Sequence, residues 1–423
     1  MVPNKTDYIA ADGTVRDDRI ARRELLYSGP KGSTVERLYL MSGGSVVLKT
    51  TAGIAQAARE AKVYGKVVAA LAAPSICPQL LAYGEAIADE SASLPDSSPE
   101  SGLGPEAAIG AVLELTSNAA LPCEDTQRAW LVYEDVGELD HRFSEGAALE
   151  LIGHMARWHA LPTGAMALGP ERGQKPDYVE MAADLLTELG WDWRGSVTSA
   201  DTGNAHEASE EPLVFGVAES LVLRVCNAMK QAPPVIVYAL CHGNLHAGNY
   251  GTADRRGTCS YGVDVSTALP VNAAPPAGSN AISPVSHNAK TQATSDNASL
   301  SAAGASGKLR VLGWGHVHRN SPYWDLHHAI DMAHPLFPRQ VDDAAWERLL
   351  TAYWEQAAEG LVPKKLEAFL REYSLFSAVF SLWMLRLIEQ DLAASEGGPW
   401  TKEQLLRQRE ETREAFRRCA GRV

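Results

Sequence analysis

Cys241-His242-Gly243-Asn244-Leu245-His246-Ala247-Gly248-Asn249 is the stretch on which the reading of this chain turns. It follows the apolar run 235–240 and packs two glycines, two histidines and two asparagines into nine residues. Glycines at that density argue against a helix and let a backbone turn closely around a ligand. The pattern therefore predicts a polar loop after an apolar segment. Two other readings arise from the same residues. His242 and His246 have the H-x3-H spacing that ligates zinc on a helix, but Gly243 and Gly248 oppose the helix and no HExxH-type Glu accompanies them. Cys241 beside His242 pairs a nucleophile type with a base type, yet sequence neighbours form no dyad without geometry.

Downstream runs KLRVLGWGHVHRNSPYWDLHHAIDMAHP, residues 308–335. Asp325 stands at the start of LHHAIDM, where a cap is expected, with a brace for the 241–249 loop as its other reading. His316, His318, His327, His328 and His334 crowd this segment, and Trp314, Tyr323 and Trp324 read as packing residues. Upstream, runs of β type at 23–28, 36–41 and 45–50 are separated by SGPKGST and SGG, which are turn signals. The first turn, with Gly29, Gly32 and Ser33, is either a plain hairpin or a loop whose N–H groups approach phosphate. Lys49 ends the third run, and a helix over 54–72 carries Glu60. Further strands are expected at 79–85 and 130–135. Beyond Val136 the apolar spacing turns helical, at 147–159, 178–189, 214–230, 342–358 and 375–394. A last helix opens with the capping box Thr401-Lys402-Glu403-Gln404.

The 423 residues exceed one ordinary domain, and 45% hydrophobic with 21% charged residues describes a globular chain. Thirty-eight Lys and Arg against 52 Asp and Glu leave a net charge of −14, which disfavours binding to nucleic acid or an anionic membrane. The opening residues show no signal-peptide pattern, no run is long enough to span a bilayer, and six scattered Cys without a CxxC pair fit reduced thiols in a cytoplasm. Segment 85–110 is acidic and Ser/Pro-rich, and 265–307 carries only Lys290 and Asp296 as charges. Neither offers enough apolar surface to offset its ordering entropy, so both are expected to be flexible insertions. A polar stretch at 195–211 reads as a loop between helices.

In this order the pieces resemble the aminoglycoside phosphotransferase family, whose loop reads HGDxHxGN and whose metal-binding segment reads IDWE, followed by a DL pair. The resemblance runs from the first Gly turn through Lys49, Glu60 and LVYEDVGE to the loop at His242 and to Asp325-Leu326. It implies a protein-kinase-like bilobal α+β fold: an N-terminal segment 1–19, a small β-rich lobe over 20–136 with the insertion 85–110, and a helical lobe over 137–423 with the insertion 265–307. It implies ATP as cofactor, held by Gly29, Gly32, Ser33, Lys49, Glu60, Glu134 and Val136, with Mg²⁺ and a small-molecule hydroxyl as acceptor.

The departures bear on activity. The position of the family's catalytic Asp holds Asn244, an amide that takes up no proton. The metal-binding Asp aligns with Gly313 and the following Glu with Gly315, leaving Asn249 alone of the side-chain metal pair. In the family the loop His is structural, which is the role the resemblance gives His242. Asp264, just before the insertion 265–307, is the carboxylate that could in principle replace the lost metal ligand. The implied function is ATP-dependent phosphoryl transfer that is impaired or lost. Its alternatives are an active small-molecule kinase with rearranged metal ligation and a non-catalytic scaffold for another ligand or protein.

Overall fold

The computed structural model describes residues 8–10, 15–28, 33–51, 53–71, 76–86, 128–162, 178–189, 212–253, 307–338, 341–394 and 400–423. Gly29, Gly32 and Asp264 lie outside the described residues, as do 195–211 and, apart from their edges, the segments 85–110 and 265–307.

Alternating apolar residues at the start of the chain build β1 (Ile20–Ser28), β2 (Thr34–Leu40) and β3 (Ser45–Thr51). Helix α1 (Ile54–Val63) follows and widens into a π-helical turn at Tyr64–Val68, and β4 (Leu80–Ala86) and β5 (Arg128–Glu134) complete the sheet. The five strands pair antiparallel in the order β1-β2-β3-β5-β4. This order sets β3 beside β5, with Lys49 opposite Leu131. Leu38, Val46, Leu48 and Val132 form a small core on one face. Ala57, Val63 and Val67 of the α1 segment join the main core instead.

The remainder is mostly helical. It comprises β6 (Leu139–Asp140), α2 (Glu145–His159), α3 (Tyr178–Glu188), the hairpin β7 (Leu213–Val214) and β8 (Val217–Ala218), α4 (Glu219–Gln231), β9 (Ala239–Cys241), β10 (Tyr250–Ala253), β11 (Lys308–Val311), β12 (His318–Asn320), α5 (Pro322–Ile330), α6 (Asp343–Gln356), α7 (Leu366–Ala393) and α8 (Lys402–Ala420). Short ladders β11-β10-β6 and β12-β9 bring the loop after β9 against the turn after β11. Helix α7 is the hub, buried through Tyr373–Leu385 and packed against α3, α4, α5, α6 and α8. The Thr401–Gln404 capping box forms in both directions. No helix among the described residues is long and apolar enough to cross a membrane.

Two helix expectations shift. The segment expected to be helical from 214 begins with a hairpin, and α4 starts only at Glu219. Its turn residues, Phe215 at φ 51° and Gly216 at φ 75°, are both left-handed, as a two-residue hairpin of matching twist requires. Helix α7 starts at Leu366 rather than 375, because Phe369 and Tyr373 continue its buried face one more turn and beyond. Together these elements form a two-lobed α+β fold, with the turn after β11 packed against α1.

Candidate active site

The loop after β9 is shaped by a buried carboxylate. Asp325 sits in the first turn of α5, whose N-cap is Ser321, so Asp325 is not the cap the sequence led us to expect. Instead its Oδ2 accepts from the His242 N–H at 2.7 Å and its Oδ1 from the Gly243 N–H at 2.9 Å. From the other side Trp158 Nε1 and His159 Nε2 donate to Oδ2 at 3.1 and 3.2 Å. Burial alone would raise the Asp325 pKa. The hydrogen bond from His159, the electrostatic pull of the His159 and His242 rings and the Gly243 N–H outweigh it and hold the carboxyl well below its usual range. Gly243 has φ +85°, and a Cβ there would stand 2.3 Å from the His316 carbonyl oxygen. The loop therefore needs glycine both for its conformation and for its clearance.

His242 donates from Nε2 to the Leu312 carbonyl at 2.8 Å, which leaves Nδ1 as the acceptor facing the Asn244 N–H at 3.4 Å. Its ring meets Trp314 edge-on at 4.7 Å. His246 stacks on His334 at 4.5 Å. The two loop histidines thus serve different partners. Among the described residues, the metal-capable atoms of His159, Cys241 and Asp325 lie within 4.8 Å of one another. All three are engaged: His159 Nδ1 accepts from the Tyr353 hydroxyl at 2.7 Å, and Cys241 Sγ–H donates to the Ser321 carbonyl at 3.2 Å. Burial pushes the Cys241 thiol well up, so it is no nucleophile.

Asn244 and Asn249 line the loop's inner side. Asn249 Nδ2 donates to the Asn244 backbone oxygen at 2.7 Å. Asn244 is 5% exposed, and its Oδ1 has no hydrogen-bond partner. Facing them is the turn after β11, where Leu312 N–H donates to the Asn249 carbonyl at 2.7 Å. A Cβ on Gly313 would lie 3.1 Å from Asn249 Oδ1, and Gly313 itself has φ +74°. The resemblance implies Mg²⁺ here, a hard cation that is normally bound through a carboxylate. Among the described residues, the side chains at this point are two neutral amides facing a glycine. They do not fit Mg²⁺.

The sheet supplies the charged part of the site. Lys49 Nζ donates to Glu60 Oε2 at 2.7 Å, with the Lys49 side chain 24% exposed and Glu60 buried. Tyr133 donates its hydroxyl to Glu60 Oε1 at 2.6 Å. Ser33 Oγ lies 3.5 Å from Thr51 Oγ1, at the edge of the first turn. Where the sheet leaves for the helical part, Glu134 N–H donates to the Gln79 carbonyl at 2.8 Å, and its carboxylate accepts from Gln79 N–H at 3.2 Å. Val136 follows, partly exposed. Asp135, which the sequence did not single out, accepts from Arg37 Nε at 2.8 Å, Ser45 Oγ at 2.6 Å and Gly137 N–H at 2.9 Å. It ties the crossing between lobes to β2 and β3. Trp158, His159 and Tyr133 were missed in the same way, since nothing local marks them.

The site is thus a Lys–Glu pair on the five-stranded sheet and α1, joined through the turn after β11 to a glycine-rich loop braced by a buried Asp. No family model matches the chain, and no curated protein matches it. Among solved structures it is similar to the macrolide 2'-phosphotransferase MphH from Brachybacterium faecium, at 14% identity over 95% of this chain and 93% of that one, with a TM-score of 0.42. It is similar to an ethanolamine kinase from Plasmodium vivax at 9% identity, over 95% of this chain and 83% of that one, with a TM-score of 0.41. It is also similar to APH(2")-IIia, solved with GDP and kanamycin, at 13% identity over 95% of each chain, with a TM-score of 0.45.

Proposed function

We propose that this chain is a kinase-like, nucleotide-binding protein of the aminoglycoside phosphotransferase type whose phosphoryl-transfer step is impaired or lost. The observation that carries this reading is the contrast within one site. The Lys49–Glu60 pair is made at 2.7 Å, while the two positions that need carboxylates hold Asn244 and Gly313. On this reading ATP lies between the sheet and the β9 loop, and Lys49 meets its phosphates as a charge-assisted donor. The crossing at Glu134 and Val136 holds the base, and Ser33 borders the phosphate end with Gly29 and Gly32. The two lobes span 20–136 and 137–423, and the protein is cytoplasmic.

The chemistry of the remaining residues follows from their types. Asn244 Oδ1 can accept a hydrogen bond from an acceptor hydroxyl and so position it, but it cannot take the proton away. Loss of a general base costs about 10²–10⁴ in rate. Asn249 holds the Asn244 backbone rather than a cation. Asp325 and His242 keep the loop in shape and touch no substrate. The acceptor of the ancestral reaction is a small-molecule hydroxyl. The deciding experiment is calorimetric titration with ATP, with and without Mg²⁺, beside an ADP-release assay. Binding that hardly changes with Mg²⁺ and yields no turnover supports the reading. Metal-dependent turnover favours a working kinase with rearranged ligation, and absence of binding favours a scaffold.

A further inference from the structure

Glu60 is held by more than the lysine it pairs with. Its carboxylate is 2% exposed as a residue, and each oxygen has its own donor: Lys49 Nζ on Oε2 at 2.7 Å and the Tyr133 hydroxyl on Oε1 at 2.6 Å. Tyr133 lies on β5, 7% exposed, and Tyr64 of the π-helical turn braces its ring at 5.2 Å. Burial first, and then the charge of Glu60, push the Tyr133 phenol well above its ordinary range, so it stays a donor. The other side of the carboxylate meets Gly315. A Cβ there would stand 2.7 Å from Glu60 Oε2 and 3.1 Å from Cδ. Gly315 is not in the left-handed region, unlike Gly313. Its backbone does not demand glycine; the space does. A carboxylate at the end of a free side chain would swing aside from such a Cβ. This one is pinned by two donors.

We propose that Tyr133 is the positioning residue for the Lys49 ammonium, acting through Glu60, and that Gly315 is the clearance this arrangement requires. The three elements that meet here, β5, α1 and the turn after β11, set where the one lysine of β3 presents its charge. With neutral amides at the opposite wall, Lys49 carries the cationic part of phosphate recognition, so its placement decides how well phosphate is met. This last step rests on the nucleotide reading above; the positioning of Lys49 does not.

The test is acylation of lysines by acetic anhydride in the intact folded chain, read peptide by peptide by mass spectrometry. Lys62 and Lys66, exposed on the same helical segment, serve as internal standards. In Glu60→Gln the Lys49 amine loses its anchor and should be labelled faster relative to the standards. Tyr133→Phe removes one oxygen atom and should raise the Lys49 ratio about three- to tenfold, the partial loss of one charge-assisted hydrogen bond. Gly315→Ala, which displaces the carboxylate directly, should do the same and keeps the test open if Tyr133→Phe does not fold. A merely structural defect would raise all three lysines together. An unchanged Lys49 ratio in folded Tyr133→Phe, or in Glu60→Gln, overturns the proposal. No nucleotide is needed for these ratios. Protection of Lys49 by added ATP in the unaltered chain reads the nucleotide proposal separately.

Discussion

The amide oxygen of Asn249 lies 3.1 Å from the point where a side chain on Gly313 would begin. Residues 64 positions apart in the chain thus confront each other across the β9 loop, with a hydrogen atom where a carboxylate would complete a metal site. On the proposed reading the loss of activity is a matter of specific atoms, and each can be put back.

Restoring them should be cooperative. Asn244→Asp alone returns a base without a metal, and Gly313→Asp alone returns a ligand without a base. Groups that act as a unit give non-additive effects, so the double variant should turn over ATP faster than the product of the single effects. Gly313→Asp also places a side chain at φ +74° and crowds Asn249, at a strain cost of about 1–2 kcal/mol. Its thermal midpoint should fall by a few degrees in a melting scan. A folded double variant that binds Mg²⁺–ATP yet stays inactive over a broad acceptor panel would defeat the two-site account.

Lys49→Ala should weaken ATP binding about tenfold or more, the loss of one charge-assisted contact of ~1.5–3 kcal/mol. Titration calorimetry measures it directly, and an unchanged isotherm would dismiss Lys49 as a phosphate ligand.

Asp325→Ala leaves the buried N–H groups of His242, Gly243 and Trp158 without their acceptor and should cost about 3–5 kcal/mol in urea unfolding. The pH dependence follows from sign. The Asp325 carboxyl is depressed in the folded state, so the unfolded chain, with Asp near ~3.9, takes up the proton first as pH falls. Its contribution is complete above about pH 4–5 and is lost as pH drops below that toward the folded value. Asp325→Asn should remove that part of the acid slope. A variant with the parent's slope between pH 5 and 2.5 would contradict the assignment.

Native thiols should be slow. Burial pushes Cys77 and Cys226 up to about 12, and Cys241 and Cys419 well up as well. Iodoacetamide at pH 8 should label these four far more slowly in the native protein than in urea, as peptide mapping would show. Rapid native labelling of Cys241 would revive its nucleophile reading.

The sheet, the loop after β9 and the last helix were legible because their signals are local: alternation, glycine pairs and a capping box within four residues. The supports of the site were not. Tyr133 reaches Glu60 across 73 residues, Arg37 reaches Asp135 across 98, and Trp158 reaches Asp325 across 167. Each is an ordinary residue in an ordinary helix or strand, and only the folded chain reveals its partner. Asp325 shows the same limit from the other side. Its position beside a helix start invited a capping role, whereas its carboxylate turns inward to the loop.

Arg59, next to Glu60 on α1, donates to the Val317 carbonyl just beyond the Gly313–Gly315 turn. One helix is thereby moored at neighbouring residues, to the sheet through Glu60 and to the opposite wall through Arg59. Moving α1 away from the cleft would break a charge-assisted hydrogen bond on each side at once. Preorganisation follows: the back of the cleft is assembled before any guest arrives, and little ordering cost falls on binding there. Affinity for a phosphate-bearing guest would then report the contacts it makes. A regulator seeking to govern this protein by swinging that helix would have to undo both moorings first.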